Sequence, residues 1–164
     1  MNPVPGAAST ARAVVGVDGS EPSKHALRWA HFLALATGTT LEAVMCWHPF
    51  TDWGAMGAGW AAMPADWNPE QDASKILTAT VDEVFGEQSP PGLLTTVLEG
   101  NPAKVLLEVS AGARMLVVGS RGHGGFAGLL LGSVSAACTE HAMCPVLVVH
   151  GTTPPPPPPS RTEA

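Results

Sequence analysis

The chain has 164 residues, 45% hydrophobic and 13% charged, and its 8 Lys plus Arg against 14 Asp plus Glu leave a formal net charge of −6. That balance suits one domain with a substantial core rather than a solvated, disordered chain. It lacks the cationic footprint of a nucleic-acid binder, and no apolar stretch approaches the roughly 20 residues that span a bilayer.

Residues 1–11 carry neither the basic start nor the apolar stretch of a signal peptide and are expected to be disordered. Ala13 to Val17 is a short apolar run ending at Asp18-Gly19-Ser20, which predicts a buried strand entering a turn. Ser20 suits an N-cap, with Glu21 and Pro22 in the first turn of a helix. Ala26, Leu27, Ala30, Leu33 and Ala34 share one face of that helix, and Gly38 ends it. His25 and His31 read as surface residues of the same helix. Leu41 to Trp47 predicts a second strand. Residues 51–69, rich in Trp and Gly, have no period and predict a long loop. Glu70 to Phe85 returns to helical spacing, stopped by Gly86.

Leu93 to Leu98 predicts a third strand. Asn101-Pro102 then reads as an N-cap followed by proline at the first helical position, opening a helix that ends near Gly112. Arg114 to Val118 is a fourth strand, Val134 to Met143 a further helix, and Val146 to Val149 a fifth strand. Alternating strands and helices, with near-continuous apolar strands, predict an α/β fold: a parallel five-stranded sheet with helices on both faces. The three cysteines, Cys46, Cys138 and Cys144, have no metal-ligand spacing. They read as small buried hydrophobes, reduced in a cytoplasmic protein. Residues 151–164 form a proline-rich tail, expected to be an extended spacer or a disordered end.

Between the fourth strand and the last helix lies GSRGHGGFAGLLLGS, residues 119–133. A glycine-rich loop leading into a helix N-terminus exposes backbone N–H groups with no Cβ in the way, a chemistry suited to phosphate. Open α/β sheets bind ligands beyond the strand carboxyl ends where the strand order reverses. If strands 1 and 4 are neighbours, that place receives Asp18 and Gly119. Asp18 reads either as a ribose or adenine contact or as a turn residue orienting Ser20. Gly119, Gly122, Gly132 and Ser133 would line the phosphate path, against the plainer reading of a structural turn with Ser133 as N-cap. Arg121 and His123 flank the loop, either opposite a phosphate or simply exposed.

The spacing of Gly119, Gly122, Gly132 and Ser133 resembles the ATP-binding motif of the universal stress protein family. VVGVDGSEPSKHALRWA (Val14 to Ala30) and SVSAACTEHAMCPVLVV (Ser133 to Val149) are similar to the family's start and end. The resemblance covers residues 12–150. It implies the sheet order 3-2-1-4-5 of the adenine nucleotide alpha hydrolase-like fold. It implies an ATP site at Gly16, Val17, Asp18, Cys46, Gly119, Arg121, Gly122, His123, Gly132, Ser133, Val134 and Ser135, with Mg2+ or Mn2+. It also implies a homodimer formed through Val146, Leu147, Val148 and Val149. The tryptophans Trp53, Trp60 and Trp67 fall in the family's variable segment, either packed on the sheet edge or as a lid over the adenine. The function implied is that of a nucleotide-dependent regulator of the stress response. The alternatives are a slow ATP hydrolase and a small-molecule or peptide module without nucleotide. No Walker lysine or catalytic constellation is evident for hydrolysis.

Overall fold

The computed structural model describes residues 11–48, 66–122 and 130–157. Strand β1 (Arg12–Gly16) leads to helix α1 (Glu21–Thr37), β2 (Thr40–Trp47) and α2 (Pro69–Phe85). After a short 3-10 turn come β3 (Leu94–Glu99), α3 (Pro102–Val109), β4 (Met115–Gly119), α4 (Ser133–His141) and β5 (Val146–Val149). The strands form one five-stranded parallel sheet in the order β3-β2-β1-β4-β5, as expected.

Local chemistry sets the boundaries. The Ser20 hydroxyl accepts from Ser23 N–H at the start of α1, and Gly38, at φ 64°, takes the left-handed conformation that ends it. The Asn101 side chain accepts from Lys104 N–H at 3.2 Å, with Pro102 opening α3. The same device starts α2: Asn68 accepts from Gln71 N–H at 3.1 Å, and Pro69 is the first helical residue rather than the last of a loop. Helix α4 begins one residue earlier than expected, at Ser133, and stops at His141. The long loop expected over 51–69 lies mostly outside the described residues, as do Trp53 and Trp60.

Strand alternation divides the core in two. Ala13, Val15 and Val17 point to α1 and α2, meeting Ala26, Leu27, Ala30, Leu77 and Val81. Val14, Leu116 and Val118 point the other way and meet Val105 and Leu106 of α3 and Cys138 of α4. The inward stripes are mostly apolar; burying one side chain such as Leu27 contributes about 1.5–3 kcal/mol. Lys24 lies between α1 and α2 and pairs with Glu21 at 2.8 Å and Glu83 at 2.7 Å. The hydrogen bond it donates to Glu21, then that to Glu83, raises the lysine pKa and keeps it charged.

Two features go beyond the sequence reading. Residues 151–157 do not extend away as a spacer. They return along α1, where the Trp29 indole donates to the Thr153 carbonyl at 3.0 Å. His31 is not a plain surface residue: it is half-buried, edge-on to Phe85 at 5.1 Å, and burial lowers its pKa.

At the end of the sheet where the strands begin, Glu42 is only 6% exposed. It accepts from Arg12 at 2.8 Å and from the Thr96 hydroxyl at 2.8 Å, while the other arm of Arg12 donates to the Val109 carbonyl. One carboxylate thus joins β1, β2 and β3. Replacing Glu42 with Ala leaves Arg12 and Thr96 without their shared acceptor. Urea denaturation should register a loss of about 1–3 kcal/mol.

Candidate functional site

The strand order reverses between β1 and β4, because β1 continues to β2 on one side and meets β4 on the other. A crevice of about 310 Å3 opens beyond their carboxyl ends. Its walls bring together Gly16, Val17, Asp18, Cys46, Gly119, Arg121, Gly122, Gly132, Ser133, Val134 and Ser135. Every expected site residue within the described segments therefore faces one cavity; His123 lies outside them.

On the β1 side, Gly19 at φ 81° turns the chain from the strand into α1. Asp18 Oδ1 accepts from the Ser20 N–H at 2.9 Å and from the Ser20 hydroxyl at 2.5 Å. Ser23 completes the turn, accepting from Asp18 N–H at 3.3 Å and donating to the Ser20 carbonyl at 2.9 Å. The turn reading of Asp18 holds, since it orients Ser20, and the same residue lines the crevice. Its second oxygen, Oδ2, lies so close to Gly122 that a Cβ there would overlap it.

On the β4 side, Gly132 N–H donates to the Ser120 carbonyl at 2.8 Å and closes the base of the glycine loop. The Ser135 hydroxyl donates to the Gly119 carbonyl at 2.5 Å, and Ser120 N–H donates to Val149 at 2.9 Å. These bonds aim the start of α4 at the crevice. Gly132 is its N-cap and supplies no side-chain bond. The first intrahelical bond runs from Ala136 N–H to Gly132. The amides of Ser133, Val134 and Ser135 precede it, the orphan donors of a helix start. Ser133 is the first residue of the helix rather than its cap, and its side chain is exposed.

The floor is apolar. Val44, Leu106 and Val118 line it with Pro102, and Ser23 joins the rim. Sequence reasoning missed these five because it followed strand ends and the glycine motif, not the helix beneath them. The Asn101-Pro102 helix start after β3 was the available signal for the α3 contribution. Burial, and then the proximity of Cys138, pushes the Cys46 thiol up to about 11. It stays protonated near neutral pH and acts as a small, weakly polar wall, not as a nucleophile. Cys138 is likewise pushed up to about 11 by burial and by Cys144. All three cysteines are free thiols.

A five-stranded parallel sheet in this order, with a glycine-lined crevice at its switch point, defines an adenine nucleotide alpha hydrolase-like fold. The profile of the universal stress protein family matches residues 10–150, and the chain belongs to that family. A universal stress protein of Mycobacterium tuberculosis is 33% identical over 147 residues, covering 89% of this chain and 46% of the relative. The chain thus spans under half the length of the curated relatives it matches. A universal stress protein solved in complex with cAMP is 26% identical, with a TM-score of 0.63, covering 88% of this chain and 100% of that one. A universal stress protein from Lactobacillus plantarum shares the fold at 20% identity and a TM-score of 0.66, covering 86% of this chain and 98% of that one.

Gly119 is required by close approach. A Cβ on it would sit 2.8 Å from the backbone carbon and oxygen of Pro22, which cannot rotate aside. Gly119→Ala should force β4 and the start of α1 apart. The expected cost is about 1–3 kcal/mol, read as a lower thermal midpoint by circular dichroism.

Proposed function

We propose that the crevice binds an adenine nucleotide, ATP foremost, and that the protein is a cytoplasmic, nucleotide-dependent regulator of the stress response. The observation that carries this reading is the uncapped start of α4 facing the same cavity as Asp18. Helix-start amides and the positive end of the helix dipole favour an anion. A carboxylate across the cavity suits ribose hydroxyls. The apolar floor at Val44, Leu106 and Val118 suits a purine. The volume falls at the small end of the range for ligand sites, about 300–1,000 Å3. The relative described in complex with cAMP, at 26% identity, supports the same ligand class.

In this reading the phosphates lie along Gly119, Gly122, Gly132 and the first turn of α4, with Arg121 at the rim. The adenine meets the end of β2 near Cys46. Mg2+ or Mn2+ accompanies the phosphates. Among the described residues no group of three or more His, Cys, Asp or Glu is placed to hold a metal ion. The cation would therefore take most of its oxygens from phosphate and water, as nucleotide-bound magnesium does.

Titration calorimetry with ATP, ADP, AMP and cAMP in magnesium tests the reading. Micromolar binding, about −8 kcal/mol, is expected for at least one of them. Gly122→Val and Gly132→Val should weaken that binding at least tenfold. Undiminished affinity in folded variants would mean that the nucleotide site lies elsewhere.

We also propose that the protein forms a homodimer by antiparallel pairing of β5. This strand is last in the sheet order, and its residues Val146, Leu147 and Val148 are only half-buried. The carbonyls of Pro145 and Val149 accept from β4, so alternation turns the backbone of Val146 and Val148 outward. An open apolar edge of this kind is usually covered. Sedimentation should give a dimer for the wild type and a shift to monomer for Val148→Pro, which removes one outward N–H.

A further inference from the structure

On the far side of α1 from the sheet, a second groove of about 330 Å3 runs between α1 and α2. It is bounded by Arg28, His31, Phe32, Leu35, Val84 and Phe85 of the helices and by Pro154 to Pro157 of the tail. Within the run, Pro155 is the half-buried residue, while Pro154, Pro156 and Pro157 stay exposed. The Trp29 indole N–H reaches the Thr153 carbonyl at 3.0 Å, immediately before the prolines. Trp29 is braced edge-on by Phe32 at 5.9 Å, and His31 by Phe85 at 5.1 Å.

We propose that this groove is a recognition site for proline-rich segments in the polyproline II conformation, kept covered in cis by the chain's own tail. The partner that fits it is a proline-rich segment of another protein, which must displace that tail. The chemistry follows from the ligand's backbone. A polyproline II segment makes no internal hydrogen bonds, so its carbonyls remain open to a donor. An indole N–H on an aromatic wall supplies one, while the rings pack against the pyrrolidines. The segment is already extended, so little conformational entropy is lost on docking. Pro154 to Pro157 supply such a ligand at the groove. The site shares no lining residue with the nucleotide crevice and stands whether or not that crevice binds ATP.

The test uses the full chain with Pro154, Pro155, Pro156 and Pro157 all replaced by Ser. The probe is a synthetic peptide of residues 152–159. The Trp29 indole resonance, assigned through Trp29→Phe, is followed by 15N-resolved NMR. In the wild type it should exchange slowly with solvent. In the serine variant it should exchange at least tenfold faster, and the peptide should restore the wild-type signal. The tethered tail competes at an effective concentration of the order of millimolar, so the peptide should bind the wild type far more weakly than the serine variant.

An indole signal identical in the two chains would overturn the proposal. So would a folded serine variant, verified by circular dichroism, that ignores the peptide. Should the fourfold variant fail to fold, Pro155→Ser alone provides the same comparison. Calorimetric binding of the peptide to the serine variant that is undiminished when Trp29→Phe is added would remove the indole from recognition and overturn the assignment. A dimer that dissolves on serine substitution would seat the tail on a second copy and overturn the arrangement in cis.

Discussion

The crevice depends on how closely β4 approaches the start of α1. Only a residue without a Cβ fits where Gly119 meets the backbone of Pro22. That contact holds the two halves of the site in one place. From it the Asp18 turn runs back to β1, and the Ser135 hydroxyl, bonded to the Gly119 carbonyl, carries the position on to α4. A parallel sheet places all strand carboxyl ends on one edge, but it does not fix how far apart the following loops stand. The absent side chain at Gly119, and at Gly122 beneath Asp18, does so. The glycines therefore serve close approach as much as exposure of amides. None of Gly16, Gly119, Gly122 and Gly132 has a positive φ, so backbone freedom is not what selects them.

The sheet was legible because its chemistry is local. Apolar strands read as buried on both faces, Ser20 and Asn101 as caps, and Gly38 as a terminator. Asp18 and Gly119 followed from one topological rule applied to β1 and β4, and the full set of expected site residues, Cys46 among them, from the family resemblance. What was not legible is what requires a third element. Leu106 reaches the floor only because α3 packs beneath the crevice, and no spacing in the sequence encodes that. Glu42 sits near the start of a strand, and its role depends on Arg12 and Thr96, which lie 30 and 54 residues away. Asn68-Pro69 carried the same signal as Asn101-Pro102. It was hidden by the irregular composition of the residues before it, which drew the proline into the loop. The tail reads as a spacer by composition, since proline runs extend and cannot form a core. That composition does not reveal a surface contributed by α1 and α2, both distant from the tail in sequence.

Helix α1 serves three surfaces at once. Its inner stripe of Ala26, Leu27, Ala30 and Ala34 anchors it on the sheet, and small residues there let it lie close. Its first turn belongs to the crevice through Ser20 and Ser23. Its outer face, with Trp29, Phe32 and Leu35, carries the prolines. Lys24 fixes the helix laterally, bonded at once to Glu21 and Glu83. The two surfaces therefore share a rigid support without sharing residues.

The charge distribution narrows how the crevice can hold a polyanion. The chain is acidic overall, and Arg121 is the one cationic side chain among the described residues that line the cavity. Lys24 points instead to its two glutamates. A site built on lysines would attract phosphate from a distance and lose much of its strength in salt. A site built on the amides of Ser133, Val134 and Ser135 acts only at contact, with fixed directions set by the helix. It recognises where the oxygens are rather than how much charge they carry. That suits the proposed ligand, with its sugar at Asp18 and its phosphates at α4. It also explains why positions without side chains count for more here than charged ones: a Cβ at Gly122 moves Asp18, whereas removing one rim cation leaves the amide array in place.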